Sequence, residues 1–102
     1  MNIANITQRI SIVKKQELAR LVHNYGDAII TYRSERSKKL KYNVCTLDFS
    51  PPYIQGKKNR AKETEDTLIL FCWDTDSYRL LRPINVVSVL PLASILKNDR
   101  RT

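Results

Sequence analysis

The residues of this sequence that could do chemistry are arginine, lysine and tyrosine far more than the usual catalytic types. Nine basic residues, Arg33, Arg36, Lys38, Lys39, Lys41, Lys57, Lys58, Arg60 and Lys62, fall between positions 33 and 62, opposed there only by Glu35 and Asp48, a local charge of +7. The whole chain of 102 residues holds 18 Lys plus Arg against 10 Asp plus Glu, a formal charge of +8. The remainder is therefore close to neutral, and the basicity belongs to one stretch. A concentrated cationic patch releases condensed counterions from a phosphate backbone, which is the sequence-independent part of nucleic-acid affinity. The same run would also serve as a solvated turn that keeps the chain soluble. Its concentration favours the polyanion.

Aromatic residues interleave with the charge: Tyr32 beside Arg33, Tyr42 beside Lys41, Tyr53 before Lys57, and Trp73 and Tyr78 before Arg79. Single-stranded nucleic acid is commonly held on such stacking surfaces inside a basic groove. Strand alternation sets a competing expectation, with Tyr32 and Tyr42 in the core and Arg33, Lys41 and Asn43 toward solvent.

Catalysis has little to work with. The single histidine, His23, sits one residue past an apolar helical face, a position for a solvent-edge or capping side chain rather than a general base. Asp74 and Asp76 are two apart in a turn; a hard cation would suit them, but turn stabilisation is the commoner use. The two glycines, Gly26 and Gly56, make no phosphate-cradling loop, and no nucleophile elbow is present. Cys45 and Cys72 lie in apolar strand-like runs as small hydrophobes and do not make a disulfide framework. With one histidine they cannot complete a zinc site without carboxylates, and no CxxC or HxxxH spacing exists. The expectation is a non-enzyme without cofactor or metal.

The elements that must position these residues follow from periodicity. Leu18, Leu21, Val22 and Tyr25 have the spacing of one helical face, and Gly26 stands where a helix stops, predicting a helix over about Ser11 to Tyr25. Ile3, Ile6, Ile10 and Val13 share the spacing, so the helix starts earlier or follows a short one. Ala28–Arg33 and Leu40–Val44 read as strands joined by the polar turn Ser34–Lys39, a hairpin. Pro51 and Pro52 end the second strand near Phe49. Gln55–Asp66 has no apolar period and is expected as a mobile excursion. Thr67–Trp73 is a continuous apolar run, expected as the central strand. Asp74–Ser77 is a turn cluster, Tyr78–Leu81 a strand interrupted by Pro83, and Ile84–Leu90 the last strand. Leu92–Leu96 remains as an apolar tail segment before a charged end. One helix followed by about five short strands implies a mainly β fold with an N-terminal α-helix, a small antiparallel five-stranded barrel. Length and composition, with 42% hydrophobic residues, fit a single core.

A helix, then Ile29-Ile30-Thr31-Tyr32-Arg33-Ser34, a basic turn, Leu47-Asp48-Phe49, the apolar strand Leu68 to Trp73, and Tyr78-Arg79-Leu80-Leu81-Arg82 leading into Val86 to Leu90 resembles a WYL domain over roughly Ala28 to Leu92. The resemblance implies an SH3/Sm-like barrel that binds nucleic acid or a nucleotide ligand in bacterial transcription regulation. The matching positions are Tyr32, Arg33 and Ser34 in the first strand and Tyr78, Arg79 and Arg82 in the fourth. The family's naming tripeptide stands here as Asp66-Thr67-Leu68, and its Asp-Arg-Ile as Ile84-Asn85-Val86.

The expected organisation is a helical segment over 1–27, the WYL-like barrel over 28–92 and a tail over 93–102. The 27 leading residues suffice for one helix but not for a helix-turn-helix reader. Binding is therefore expected through the barrel itself. Arg33, Ser34, Arg36, Lys38, Lys39 and Lys41 are expected at phosphates, Arg79 and Arg82 at a phosphate or base edge, since guanidinium bonds in bidentate fashion, and Trp73 and Tyr78 at stacked bases. The partner is DNA or RNA, single-stranded or structured. The alternative is a protein-interaction or dimerisation module, with Ile3–Val13 and Ala93–Leu96 packed on a second copy or a partner regulator. No secretory or membrane-spanning segment is readable, so a cytoplasmic location is expected.

Overall fold

Gly26 stops the first helix as its position predicts: it adopts φ +78° and donates its amide to the Val22 carbonyl at 3.0 Å. A Cβ at this position would meet nothing within 4 Å, so the positive φ, not space, calls for glycine. The computed structural model describes the backbone of residues 3–59 and 61–99 and the side chains of 13–59 and 61–96. Arg60 and the 100–102 end lie outside the described residues, as do the side chains of Ile3, Ile6 and Ile10.

Helix α1 spans Ile3–Tyr25. Its apolar spacing continues upstream of Ser11 with no Gly or Pro to interrupt it, which accounts for the earlier start. Strands β1 (Asp27–Arg33) and β2 (Leu40–Thr46) form the expected hairpin, paired from Asp27↔Thr46 to Arg33↔Leu40. A short helix α2 (Pro52–Gln55) opens on its proline, whose missing amide is no loss at the first helical position. Strands β3 (Leu68–Cys72) and β4 (Ser77–Leu81) follow; a 3-10 turn at Pro83–Asn85 leads into β5 (Val86–Pro91). The apolar tail segment begins a helix, α3 (Leu92–Asp99).

The strands form one antiparallel sheet in the order β4-β3-β2-β1-β5. The edges β4 and β5 do not pair, so the sheet is open where a closed barrel is expected. The apolar run β3 is an interior strand, but the middle place belongs to β2. The two pair through only Cys45↔Cys72 and Thr46↔Phe71, after which they diverge. Beyond that divergence Glu63 takes over from the missing ladder, its carboxylate accepting the Ile69 amide at 2.9 Å.

The α1 face of the sheet carries the main core, in which Leu18 and Val22 pack on Ala28, Ile30, Cys45, Leu68, Leu70 and Cys72. The opposite face of β3 and β4 carries a second one. Phe71, fully buried, lies edge-on to Tyr53, Trp73 and Tyr78, Ile54 of α2 is fully buried too, and Phe49 packs edge-on to Tyr78. The described residues of Gln55–Asp66, expected as a mobile excursion, make contacts near both ends: Lys57 bonds Asp76 at 2.8 Å, and Lys15 of α1 reaches the Thr64 carbonyl at 2.7 Å and Glu63 at 3.3 Å.

Candidate functional site

Register decides which side chains share a face, because a one-residue slip moves every side chain to the other side. Ala28, Ile30 and Tyr32 of β1 face α1, and their cross-strand partners are Cys45, Asn43 and Lys41. This reverses the expected parity of β2. Asn43 is buried at 6% exposure and Lys41 stands on the α1 face, whereas Leu40 and Tyr42 are 54% and 65% exposed. Two bonds make the burial of Asn43 tolerable: its Oδ1 accepts from the Tyr32 hydroxyl at 2.6 Å and its Nδ2 donates to Asp74 Oδ2 at 3.0 Å. The other Asp74 oxygen accepts the Val44 amide at 3.1 Å. Asp74 is therefore a structural clasp between the β3–β4 turn and β2. Burial raises the Tyr32 hydroxyl above the ordinary phenol range, which keeps it a neutral donor to Asn43.

The C-terminal half of α1 covers the apolar end of this face. Its polar end is left open as a cleft of about 500 Å³, walled by β1, the β1–β2 turn and the start of β2 on one side and by β4 on the other. Arg33 and Lys41 enter from the first wall, Arg79 and Arg82 from the second, and Tyr32, Asn43, Cys45 and Cys72 lie between them. The cations are not equivalent. Arg33 donates to the Lys38 carbonyl at 2.8 Å, and Arg82 pairs with Glu35 at 3.3 Å. Glu35 also accepts from Asn85 at 2.9 Å, which ties the β1–β2 turn to the corner after β4. Arg79 touches only a neutral group, Thr75 at 3.3 Å, and among the described residues neither it nor Lys41 has an ion-pair partner. Those two are the charges most available to an anion.

Of the ten residues expected at a binding site, the structure brings Arg33, Ser34, Lys41, Arg79 and Arg82 together in the cleft. Arg36, Lys38 and Lys39 stand exposed on the adjoining turn, where Lys38 adopts φ 62° and the Ser34 amide bonds the Lys39 carbonyl at 2.9 Å. Trp73 and Tyr78 are elsewhere. Trp73 lies against Phe71 and stacks at 6.5 Å on Tyr53, with its indole N–H donated to Asp27 at 2.9 Å; Tyr78 donates its hydroxyl to the Ile54 carbonyl at 3.1 Å. Their rings hold the second core together on the face away from the cleft. Sequence reasoning missed Asn43, Glu35 and Asn85 as cleft residues, since nothing in a polar side chain's local context reports its cross-strand partner. It also missed that Cys45 and Cys72 are cross-strand neighbours, with sulfurs 3.3 Å apart. No protein-family model, no curated protein and no solved structure matches this chain.

Asp76 is likewise occupied, accepting from Tyr53 at 2.6 Å and Lys57 at 2.8 Å. No group of three His, Cys, Asp or Glu able to hold a metal ion occurs among the described residues. No helix among them is long and apolar enough to cross a membrane.

Proposed function

We propose that this chain binds nucleic acid, or a nucleotide-bearing ligand, through the basic cleft and the turn beside it. The observation that carries the reading is the convergence of Arg33, Lys41, Arg79 and Arg82 from three strands and a corner onto one open cleft, with Arg36, Lys38 and Lys39 at its rim. Convergent cations with few internal partners suit a phosphate better than they suit folding, because each unpaired charge repels its neighbours until an anion arrives. Arg79 and Lys41 make the primary phosphate contacts, Arg33 and Arg82 the outer ones, and Tyr32 supplies an aromatic wall. Trp73 and Tyr78 have no part in it. The strand order, with the short Pro83–Asn85 turn between the two edges and Glu35 clasping that corner, supports an incompletely closed SH3/Sm-like sheet of the WYL kind.

Fluorescence anisotropy of a labelled single-stranded oligonucleotide tests the reading. Affinity is expected to fall steeply between about 50 and about 300 mM salt, and to collapse when Lys38, Lys39 and Lys41 are changed together to Glu. Equal binding at the two salt concentrations overturns it.

A second reading, a protein-interaction or dimerisation module, is favoured by one feature: edge strand β5 and α3 expose Val87, Leu90 and Leu96 at 58%, 48% and 53%. Under it, V87K with L90K lowers the mass in solution and leaves oligonucleotide binding unchanged.

A further inference from the structure

Cys45 and Cys72 are both free and both buried, at 1% and 2% exposure, yet they line the cleft floor. They are cross-strand partners on β2 and β3, and the sulfurs lie 3.3 Å apart. Trp73 donates its amide to the Val44 carbonyl at 2.7 Å, which makes 44/73 a hydrogen-bonded site of the ladder and 45/72 the non-hydrogen-bonded site next to it. At such sites the α-carbons stand about 4.5 Å apart, inside the range of about 4.4 to 6.8 Å that a disulfide spans. The pair also sits at the last rungs before β2 and β3 diverge, so the strands there have only one further register pair to disturb.

We infer that Cys45 and Cys72 form a peroxide-oxidisable dithiol, closing to an intramolecular cross-strand disulfide at the floor of the cleft. The inference stands apart from nucleic-acid binding, since it rests on the thiols alone. Hydrogen peroxide, small enough to enter the cleft, is the oxidant. The thiolate of one cysteine attacks one peroxide oxygen; the O–O bond breaks, hydroxide leaves and takes up the thiol proton as water, and that cysteine becomes a sulfenic acid. The other sulfur then attacks the oxidised one, the S–S bond forms, the S–O bond breaks, and a second water departs with the second thiol's proton. Two thiols and one peroxide give one disulfide and two waters.

Intact-mass spectrometry of the full chain tests this. After brief exposure to peroxide the unmodified chain is expected to lose about 2 Da, the two hydrogens removed on disulfide formation, to refuse iodoacetamide at both cysteines once unfolded in urea, where the untreated chain is alkylated at both, to stay monomeric in mass, and to regain both reactivities with dithiothreitol. Retention of two alkylatable thiols, oxygen adducts without the loss of about 2 Da, or a disulfide between two chains each overturns the inference. The sulfenic acid step is checked with dimedone, which traps that acid: after peroxide, the C45S chain or the C72S chain, each keeping one thiol, is expected to label. Labelling of neither overturns the sulfenic route, and the mass change in the unmodified chain decides the disulfide even if either variant fails to fold.

Discussion

The two faces of β3 divide the same kinds of residue differently. On the α1 face Leu68, Leu70 and Cys72 lead from a closed apolar core into a cleft where cations outnumber their partners; on the other, Phe71 is buried against Tyr53, Trp73 and Tyr78, whose polar atoms bond Asp76, Asp27 and the Ile54 carbonyl. Aromatic rings near arginines suggest a stacking site in either place, but stacking needs a ring that packing has not already taken. Here the rings pack on one another and on Phe71, while Lys41 and Arg79 have no ion-pair partner among the described residues. What distinguishes the faces is whether a group's interactions are completed within the chain.

Phe71→Ala breaks the comparison hardest. It empties the middle of the second core and is expected to cost about 3–5 kcal/mol, much of the roughly 5–15 kcal/mol that holds a typical domain. Urea denaturation reads it as a large drop in midpoint. A loss under about 1 kcal/mol would mean that the aromatic face is not a core. Next in size is Asn43→Leu, which leaves the Tyr32 hydroxyl and one Asp74 oxygen without their partner. The expected cost is about 1–3 kcal/mol by the same measurement. Because the clasp joins β2 to the β3–β4 turn, oligonucleotide affinity should fall as well, through movement of the cleft walls.

Arg79→Ala sharpens the contrast from the other side. Its guanidinium has no carboxylate among the described residues, so stability should change by no more than about 0.5 kcal/mol. Oligonucleotide binding should weaken by about tenfold and the salt slope shrink by about one. Arg82→Ala is expected to weaken binding less, since Glu35 already pairs with that guanidinium and leaves less of its charge for a phosphate. Anisotropy titrations at several salt concentrations separate the two.

Much of the fold was legible because local signals agreed with one another. The apolar stripe from Leu18 to Tyr25 and Gly26 after it fixed the end of α1, the Ser34–Lys39 turn fixed the hairpin, and Pro83 fixed the end of β4. The faces were less legible. Leu40, Tyr42 and Val44 alternate as an inward set should, but pairing of Ala28 with Cys45 and Ile30 with Asn43 put the other set inside, and two hydrogen bonds made a buried asparagine acceptable. The basic members of the cleft were legible as charge. That Trp73 and Tyr78 face away from Arg79 was also implicit in strand parity, once Phe71 and Tyr78 are cross-strand partners and Leu70 and Arg79 are the next pair. Such pairings are non-local, and a linear pattern does not contain them.

The smallest effect expected is at the rim of the aromatic face, where Asp76 bonds Tyr53 and Lys57, and Lys57 lies 4.7 Å over the Tyr53 ring. The bonds from Lys57 and Tyr53 lower the Asp76 carboxyl below its ordinary range, and the bond to Asp76 raises Lys57 above its own. A lowered acid lends stability that is present above its unfolded value and is lost as pH falls through its folded one; a raised lysine lends stability present below its unfolded value and lost as pH rises through its folded one. Both contributions are therefore complete only between the ordinary carboxylate and lysine ranges. The difference in urea midpoint between the natural chain and D76N should be greatest near neutral pH, shrink in acid below the carboxylate range, and shrink again in strong alkali. Arg79→Ala, which breaks no ion pair, should show no such window. If its midpoint difference follows the same profile, then Arg79 is paired within the fold, and the distinction between spent and available charge fails at the residue where it matters most.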